Sequence, residues 1–464
     1  MREKLSSMAK TPMTPDDTGR VGSDEGSVPA TNGHIGRIVA GSLATGVIAA
    51  LLLVAAPFIE VQENDITGAV LVGFAVGWAM LAGLSVRYTD RPQRWAVVPA
   101  VFMGVSGLLL IVLGSGVADA LHWMWPPAVL VLAVWMAVQA HRHLPGRSRR
   151  WLLYPVIAVM ALASVGGGYE TVREHLDASA YPMPGRLVDV GGHRLHLHCT
   201  GSGSPTVVLQ PGGGDMSSVM GWIAPAVAEH TRVCVYDSAG RGWSEASDTT
   251  QDGEQMMIDL HTLLHRAHVP GPYVLAGHSF GGLYVRIFAA RYPHEVAGMV
   301  LIDSTGSALP ASTSAQSWGP DDILARVSVL ASTSARLGIG RFFGLGYGSL
   351  PQQSADEVGA KLATSASLRS TIDEFLQATA SEHEAAALTD LGDRPLVVLT
   401  AGSGSDQGWM AAQDKTVILS TNSVHRVVDG ATHADLILNQ ADAAVTARAI
   451  NDVVSSVRTD RPLD

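Results

Sequence analysis

The chain of 464 residues sets 42 acidic against 31 basic side chains, a formal net charge of −11, with no basic tract in its C-terminal half; this argues against a nucleic-acid partner. A hydrophobic share of 47% with only 16% charged residues, at a mean hydropathy of +0.22, exceeds what a soluble protein of this length carries, and the excess lies before about residue 168. Two cysteines, Cys199 and Cys234, match neither metal-ligand spacing nor a disulfide-rich scaffold, and the length predicts two or three domains.

Residues 1–33, rich in Ser, Thr, Pro, Gly and Asp and without apolar periodicity, are expected to form a disordered cytoplasmic tail. Five apolar segments follow, at 38–58, 66–86, 95–117, 124–140 and 151–168, and most reach the ~20 residues needed to cross a bilayer. The fourth is short and carries Pro126-Pro127 near its start. Residues 34–168 thus read as an all-α transmembrane domain of about five helices. Arg87, Arg91 and Arg94 crowd the second loop, and Arg142, Arg147, Arg149 and Arg150 the fourth. The first and third loops carry Glu60, Glu63, Asp65 and Asp119 instead. The positive-inside rule then places the N-terminus in the cytoplasm and everything after Gly168 outside. No span holds an acidic residue, Lys or Arg near its middle, which argues against a transporter. His122, His141 and His143 lie at span edges and read as interfacial, while Gly73 and Gly77 suit close helix packing.

Residues 169–184 turn polar, pick up prolines and are expected to be a linker. From 185 to 464 short apolar runs at 186–190, 193–199, 206–209, 233–236, 273–276, 299–302, 396–400 and 426–428 predict strands. Helical patterns at 219–229, 254–267, 282–291 and 442–457 intervene, so a mostly parallel sheet covered on both faces is expected. The stretch 304–393 is far too long for a plain connection. Its helical patterns at 321–337, 355–366 and 367–388 predict a cap, with the apolar segment 341–347 in the cap core.

Between the strand at 273–276 and the helix at 282–291 stands Gly277-His278-Ser279-Phe280-Gly281, the setting of a nucleophile elbow. Leu209-Gln210-Pro211-Gly212-Gly213-Gly214 and Tyr236-Asp237-Ser238-Ala239-Gly240-Arg241-Gly242-Trp243-Ser244 precede it in order. With these motifs, residues 185–458 resemble the α/β-hydrolase fold superfamily, a mostly parallel eight-stranded sheet with a helical cap. The resemblance implies Ser279 as nucleophile and His433, after the last strand, as general base. It also implies an oxyanion hole from the backbone amides of Phe280 and of the glycine turn, Gly213 foremost. Pro211-Gly212 stands where many relatives carry His-Gly. For the acid, Asp303 at the end of the sixth strand and Asp406 after the seventh both remain open. Asp237 reads as structural, and His278 as pointing elsewhere along the elbow. His193, His196 and His198 belong to an early strand, and His261, His265 and His268 to a solvated helix face. Cys199 and Cys234 fall on strands that neighbour each other in this fold, and an exported domain permits their pairing.

The function expected on this resemblance is a membrane-anchored serine hydrolase cleaving carboxylic esters or related acyl compounds, with a small ester or lipid-like molecule as substrate. No metal or organic cofactor is implied. Serine rather than aspartate at the elbow argues against dehalogenase or epoxide-hydrolase chemistry. An acyltransferase or aminopeptidase would use the same triad. A catalytically inactive membrane receptor or complex subunit is the alternative from a different class.

Overall fold

The computed structural model describes residues 34–144, 151–247, 249, 251–304 and 321–464. The expected tail at 1–33, the loop arginines Arg147, Arg149 and Arg150, and the first part of the cap therefore lie outside the described residues.

Among the described residues, five long apolar helices come first: α1 (His34–Val54), α2 (Glu63–Tyr88), α3 (Val97–Leu113), α4 (Ser115–His143) and α5 (Tyr154–Ala180). Glycines let them approach closely. A Cβ on Gly73 would meet Ala50 Cα at 2.3 Å, and one on Gly77 would meet Gly46 Cα at 2.8 Å, so this face of α2 is tailored to α1. Gly68 plays the same part toward α3, where an added Cβ would lie 2.7 Å from the Gly107 carbonyl oxygen.

Three boundaries differ from the sequence expectation. The third apolar run breaks at Gly114, whose φ of +52° ends α3, and α4 starts one residue later. The fourth helix is not short but runs straight through Pro126 and Pro127. Pro126 has no N–H for the His122 carbonyl, and the Thr171 hydroxyl of α5 lies 3.3 Å from that oxygen instead. Ser164 of α5 in turn donates to the Pro126 carbonyl. Finally, 169–180 is not a linker but the last three turns of α5. Its acidic residues are polar because they have partners: Glu170 and Asp177 are buried against Arg341 of the cap, at 2.9 and 2.6 Å.

The C-terminal half builds one eight-stranded sheet in the order β1-β2-β4-β3-β5-β6-β7-β8. The strands are β1 (Arg186–Asp189), β2 (Arg194–Thr200), β3 (Thr206–Gln210), β4 (Val233–Tyr236), β5 (Tyr273–His278), β6 (Val296–Ile302), β7 (Leu396–Ala401) and β8 (Ser423–Val428). Only β2 runs antiparallel to its neighbours. The central strands β3, β4, β5 and β7 are buried end to end, and β6 at all but Ala297, as a sheet covered on both faces requires. One face packs on α6 (Ile223–Ala228) and the C-terminal helix, through Ile223, Val227, Ile450, Val453 and Val454. The other packs on α7 (Gly253–Arg266) and α8 (Phe280–Arg291), through Met257, Leu260, Leu264 and Leu283. Cys199 and Cys234 are register partners across β2 and β4, and they form a disulfide.

Between β6 and β7 lie α9 (Asp321–Thr333), 3-10 turns at Ser334–Leu337 and Ile339–Tyr347, α10 (Gln352–Lys361), α11 (Ser365–Leu376) and α12 (Ala378–Ala385). The single helix expected at 367–388 is split at Gln377. Four arginines of this cap grip the ends of the apolar helices. Arg326 donates to the carbonyls of Val54 and Ile59 (2.8 Å each), Arg336 pairs with Glu63, Arg341 with Glu170 and Asp177, and Arg369 donates to the Val61 carbonyl (3.1 Å). Segment 341–347 is thus in part a docking element; the side chains of 342–345 lie outside the described residues.

Candidate active site

Ser279 stands between β5 and α8 with φ +53° and ψ −122°, a conformation that costs a non-glycine residue of order 1–3 kcal/mol. The surrounding glycines make this turn possible. A Cβ on Gly277 would sit 2.3 Å from the Gly281 carbonyl oxygen, one on Gly281 2.5 Å from the Gln210 and Pro211 carbonyls, and one on Gly282 2.0 Å from Ser304 Oγ. The Ser279 amide donates to the Ile302 carbonyl (3.1 Å), locking the turn to β6. Its side chain does not cap α8, although the residue occupies the N-cap position where the helix dipole favours an anion.

Asp303 follows β6, also at positive φ (+44°), and is buried. Its Oδ2 lies 2.6 Å from His433 Nδ1, while Oδ1 accepts from the Trp409 indole (2.8 Å) and the Ala401 amide (3.3 Å). Burial alone would raise this carboxyl, but the bonds from His433 and Trp409 outweigh it and hold Asp303 below the usual carboxylate range. The carboxylate therefore stays ionised and faces Nδ1 of His433, which leaves Nε2 away from the acid. Of the two acids left open by the sequence, Asp303 meets His433 and Asp406 does not. Asp406 caps α13 (Gln407–Thr416), accepting from the Trp409 amide at 2.7 Å. It thereby steadies the helix that presents the Trp409 indole to Asp303.

The glycine turn after β3 lies against the elbow. A Cβ on Gly212 would meet Ser279 Cβ at 3.3 Å, and one on Gly213 would meet the Phe280 ring at 3.2 Å. Gly213 and Phe280, the two expected amide donors, are therefore neighbours beside Ser279. The sheet order, the elbow and the acid at a strand end agree with one further observation: the family model described as alpha/beta hydrolase fold matches residues 205–335. The C-terminal half has the α/β-hydrolase fold.

Among similar proteins, an uncharacterized protein of Schizosaccharomyces pombe is 27% identical over 311 residues, 59% of this chain and 57% of its own length. The 2-hydroxy-6-oxo-2,4-heptadienoate hydrolase of Pseudomonas putida is 31% identical over 125 residues, 26% of this chain and 45% of its own. A solved thermophilic esterase from Thermogutta terrifontis aligns with a TM-score of 0.43 at 21% identity, over 57% of this chain and 95% of that one. The chain spans about half the length of the curated relatives it matches.

Three supports of this candidate site escape a sequence reading. The first is Glu374 of α11, which is buried and accepts from the Gly214 amide (2.8 Å), the Tyr284 hydroxyl (2.6 Å) and the Arg241 guanidinium. On the primary sequence it is one more acid on an amphipathic helix. The second is Asp215, which receives the Tyr347 hydroxyl at 2.7 Å. Burial pushes its carboxyl up to about 6, against the pull of that hydrogen bond and of Arg241. The third is His278, expected to point away from the site. Its ring lies 4.6 Å from that of His433, and Nε2 donates to the His433 carbonyl at 3.1 Å. Asp237, read as structural, accepts from the Trp243 and Ser217 amides and faces His196 Nδ1 at 2.8 Å. Away from the site, His261 and His265 both face Glu295 Oε1, at 3.0 and 3.1 Å. Among the described residues these three are the donors close enough together to hold a cation.

Burial, aided by the His433 charge and opposed by the His433 carbonyl, drops His278 to about 3. A histidine depressed in this way contributes stability that is present above the unfolded value of about 6.5 and lost as pH falls toward 3. In detergent-solubilised protein, His278→Gln is therefore expected to flatten the fall in unfolding midpoint between pH 6.5 and 3 relative to wild type. Parallel pH profiles for the two proteins would show that His278 is not held neutral.

Proposed function

We propose that this chain is a membrane-anchored serine hydrolase that cleaves carboxylic esters or related acyl compounds on the outer side of the membrane. The observation carrying this reading is the 2.6 Å contact between Asp303 and His433 beside a strained elbow serine. In the proposed reaction His433 takes the Ser279 proton while Oγ bonds to the acyl carbon. The amides of Gly213 and Phe280 receive the charge that develops on the carbonyl oxygen. The tetrahedral adduct collapses, the acyl–oxygen bond breaks, and the leaving alcohol departs with the proton from His433. Water, deprotonated by the same histidine, then releases the carboxylic acid and restores Ser279. Hydrolases among the similar proteins support the reaction class.

Residues 34–180 serve as the anchor and 186–464 as the hydrolase unit. An outer location is supported by the arginines of the second loop at the opposite helix ends from the docked cap, and by the disulfide, which suits an oxidising compartment. A membrane-impermeant fluorophosphonate applied to intact cells tests both parts. Labelling of the wild type and none of Ser279→Ala is the expected result. Labelling only after lysis would overturn the orientation, and equal labelling of both proteins would overturn the role of Ser279.

A further inference from the structure

One element of the cap, α11, touches both the apolar helices and the surroundings of Ser279. At its first turn, Ser365 of α11 donates to Glu63 at the start of α2 (3.1 Å), and Arg369 donates to the Val61 carbonyl in the α1–α2 connection. At its last turn, Glu374 holds the Gly214 amide, and the Phe375 ring lies edge-on to Phe280 at 5.3 Å. Ten residues of helix separate these ends, about 15 Å, which is the depth of one leaflet's hydrocarbon.

Next to α11 runs α9, bonded to it by Ser328 and Asp373 at 2.8 Å. Arg326 of α9 caps the end of α1, and Val329 is buried with Ile59, Ile66 and Ala69. The turn after α9 reaches α5, where a Cβ on Gly166 would sit 2.4 Å from the Leu337 carbonyl oxygen. The end of α1, the start of α2 and the last apolar turn of α5 near Gly166 define where the bilayer surface must lie, and α9 packs at that level. Two further apolar side chains of α9, Val327 (55% exposed) and Leu330 (42% exposed), are exposed there. On α11, two residues after Asp373, Phe375 is 51% exposed and its ring meets that of Phe280, next to Ser279. Singly exposed apolar side chains are ordinary, but these three stand on two bonded helices, one packed at the ends of the apolar helices and the other reaching Phe280.

We propose that the substrate is a bilayer-resident amphiphile, a long acyl chain esterified to a polar alcohol, which reaches Ser279 along α11 from the leaflet on which α9 rests. The inference builds on the reading of Ser279 as nucleophile. Cleavage consumes one water, breaks the acyl–oxygen bond and returns the carboxylic acid to the membrane while the alcohol leaves to water.

Full-length protein reconstituted in phosphatidylcholine vesicles provides the test, with two esters of one leaving group. 4-Nitrophenyl palmitate is placed either in the enzyme's own vesicles or in separate protein-free vesicles, and 4-nitrophenyl acetate is supplied in water. Wild type is expected to cleave palmitate in its own bilayer at least tenfold faster than in separate vesicles. Val327→Asp with Leu330→Asp is expected to lose at least tenfold on palmitate and keep acetate hydrolysis unchanged. Equal palmitate rates in the two arrangements, or a double variant with full palmitate activity, would overturn the inference while leaving Ser279 as nucleophile. If neither ester is cleaved, the reading of Ser279 falls and this inference falls with it.

Discussion

Asp303→Asn is expected to lower kcat by about 10³–10⁴-fold with little change in folding, because the amide keeps the shape of the carboxylate but not its charge. An asparagine facing His433 Nδ1 no longer selects the tautomer that leaves Nε2 free, and it cannot balance the imidazolium that forms. Asp406→Ala is the matched comparison. It removes the acceptor for the Trp409 amide, an N-cap contact worth about 1 kcal/mol, and kcat is expected to stay within a few-fold of wild type. Steady-state kinetics on a short soluble ester, with thermal unfolding of each variant, measures both effects. A larger kinetic loss in Asp406→Ala than in Asp303→Asn would reverse the assignment.

Glu374→Gln is expected to be the most destabilising single change near the site, by about 3–5 kcal/mol. Glu374 and Arg241 are both almost wholly inaccessible to solvent, so a neutral glutamine leaves the guanidinium buried beside its lost counter-charge. The same change loosens the acceptor of the Gly214 amide, next to the Gly213 amide proposed for the oxyanion. A fall in kcat larger than the change in KM is therefore expected, measured well below the variant's unfolding midpoint. Unchanged kcat in a destabilised variant would confine Glu374 to the packing of the cap.

What the primary sequence displays and what it hides follow from range. The elbow is written in five consecutive residues, and its glycines are required by contacts within the turn and with the end of β3. The apolar helices are equally local, since length and composition suffice to mark a span. The acid is not local. Asp303 and Asp406 both end strands or loops near the same rim, and only the fold brings one of them to His433 and turns the other into a helix cap. Likewise Pro126-Pro127 argues for a helix start until Ser164 and Thr171 of another helix are seen at the Pro126 and His122 carbonyls. The polar run at 169–180 looks like a solvated linker because Arg341, its partner, stands more than 160 residues away. His278 misleads for a related reason, since its partner is a backbone carbonyl that no side-chain pattern reveals.

The arginine grips of the cap also bear on how the two halves can be separated. A hydrolase cut free at residue 185 would keep its sheet, its disulfide and the Asp303–His433 contact. Arg336 and Arg341 would nonetheless face solvent without the carboxylates of Glu63, Glu170 and Asp177, and α11 would have lost the footing of one end while still holding Gly214 at the other. The helix works as a strut, so the apolar helices and the glycine turn after β3 share one mechanical frame. In the proposed enzyme the apolar helices are no leash for a separate cargo; they are the floor on which the cap stands.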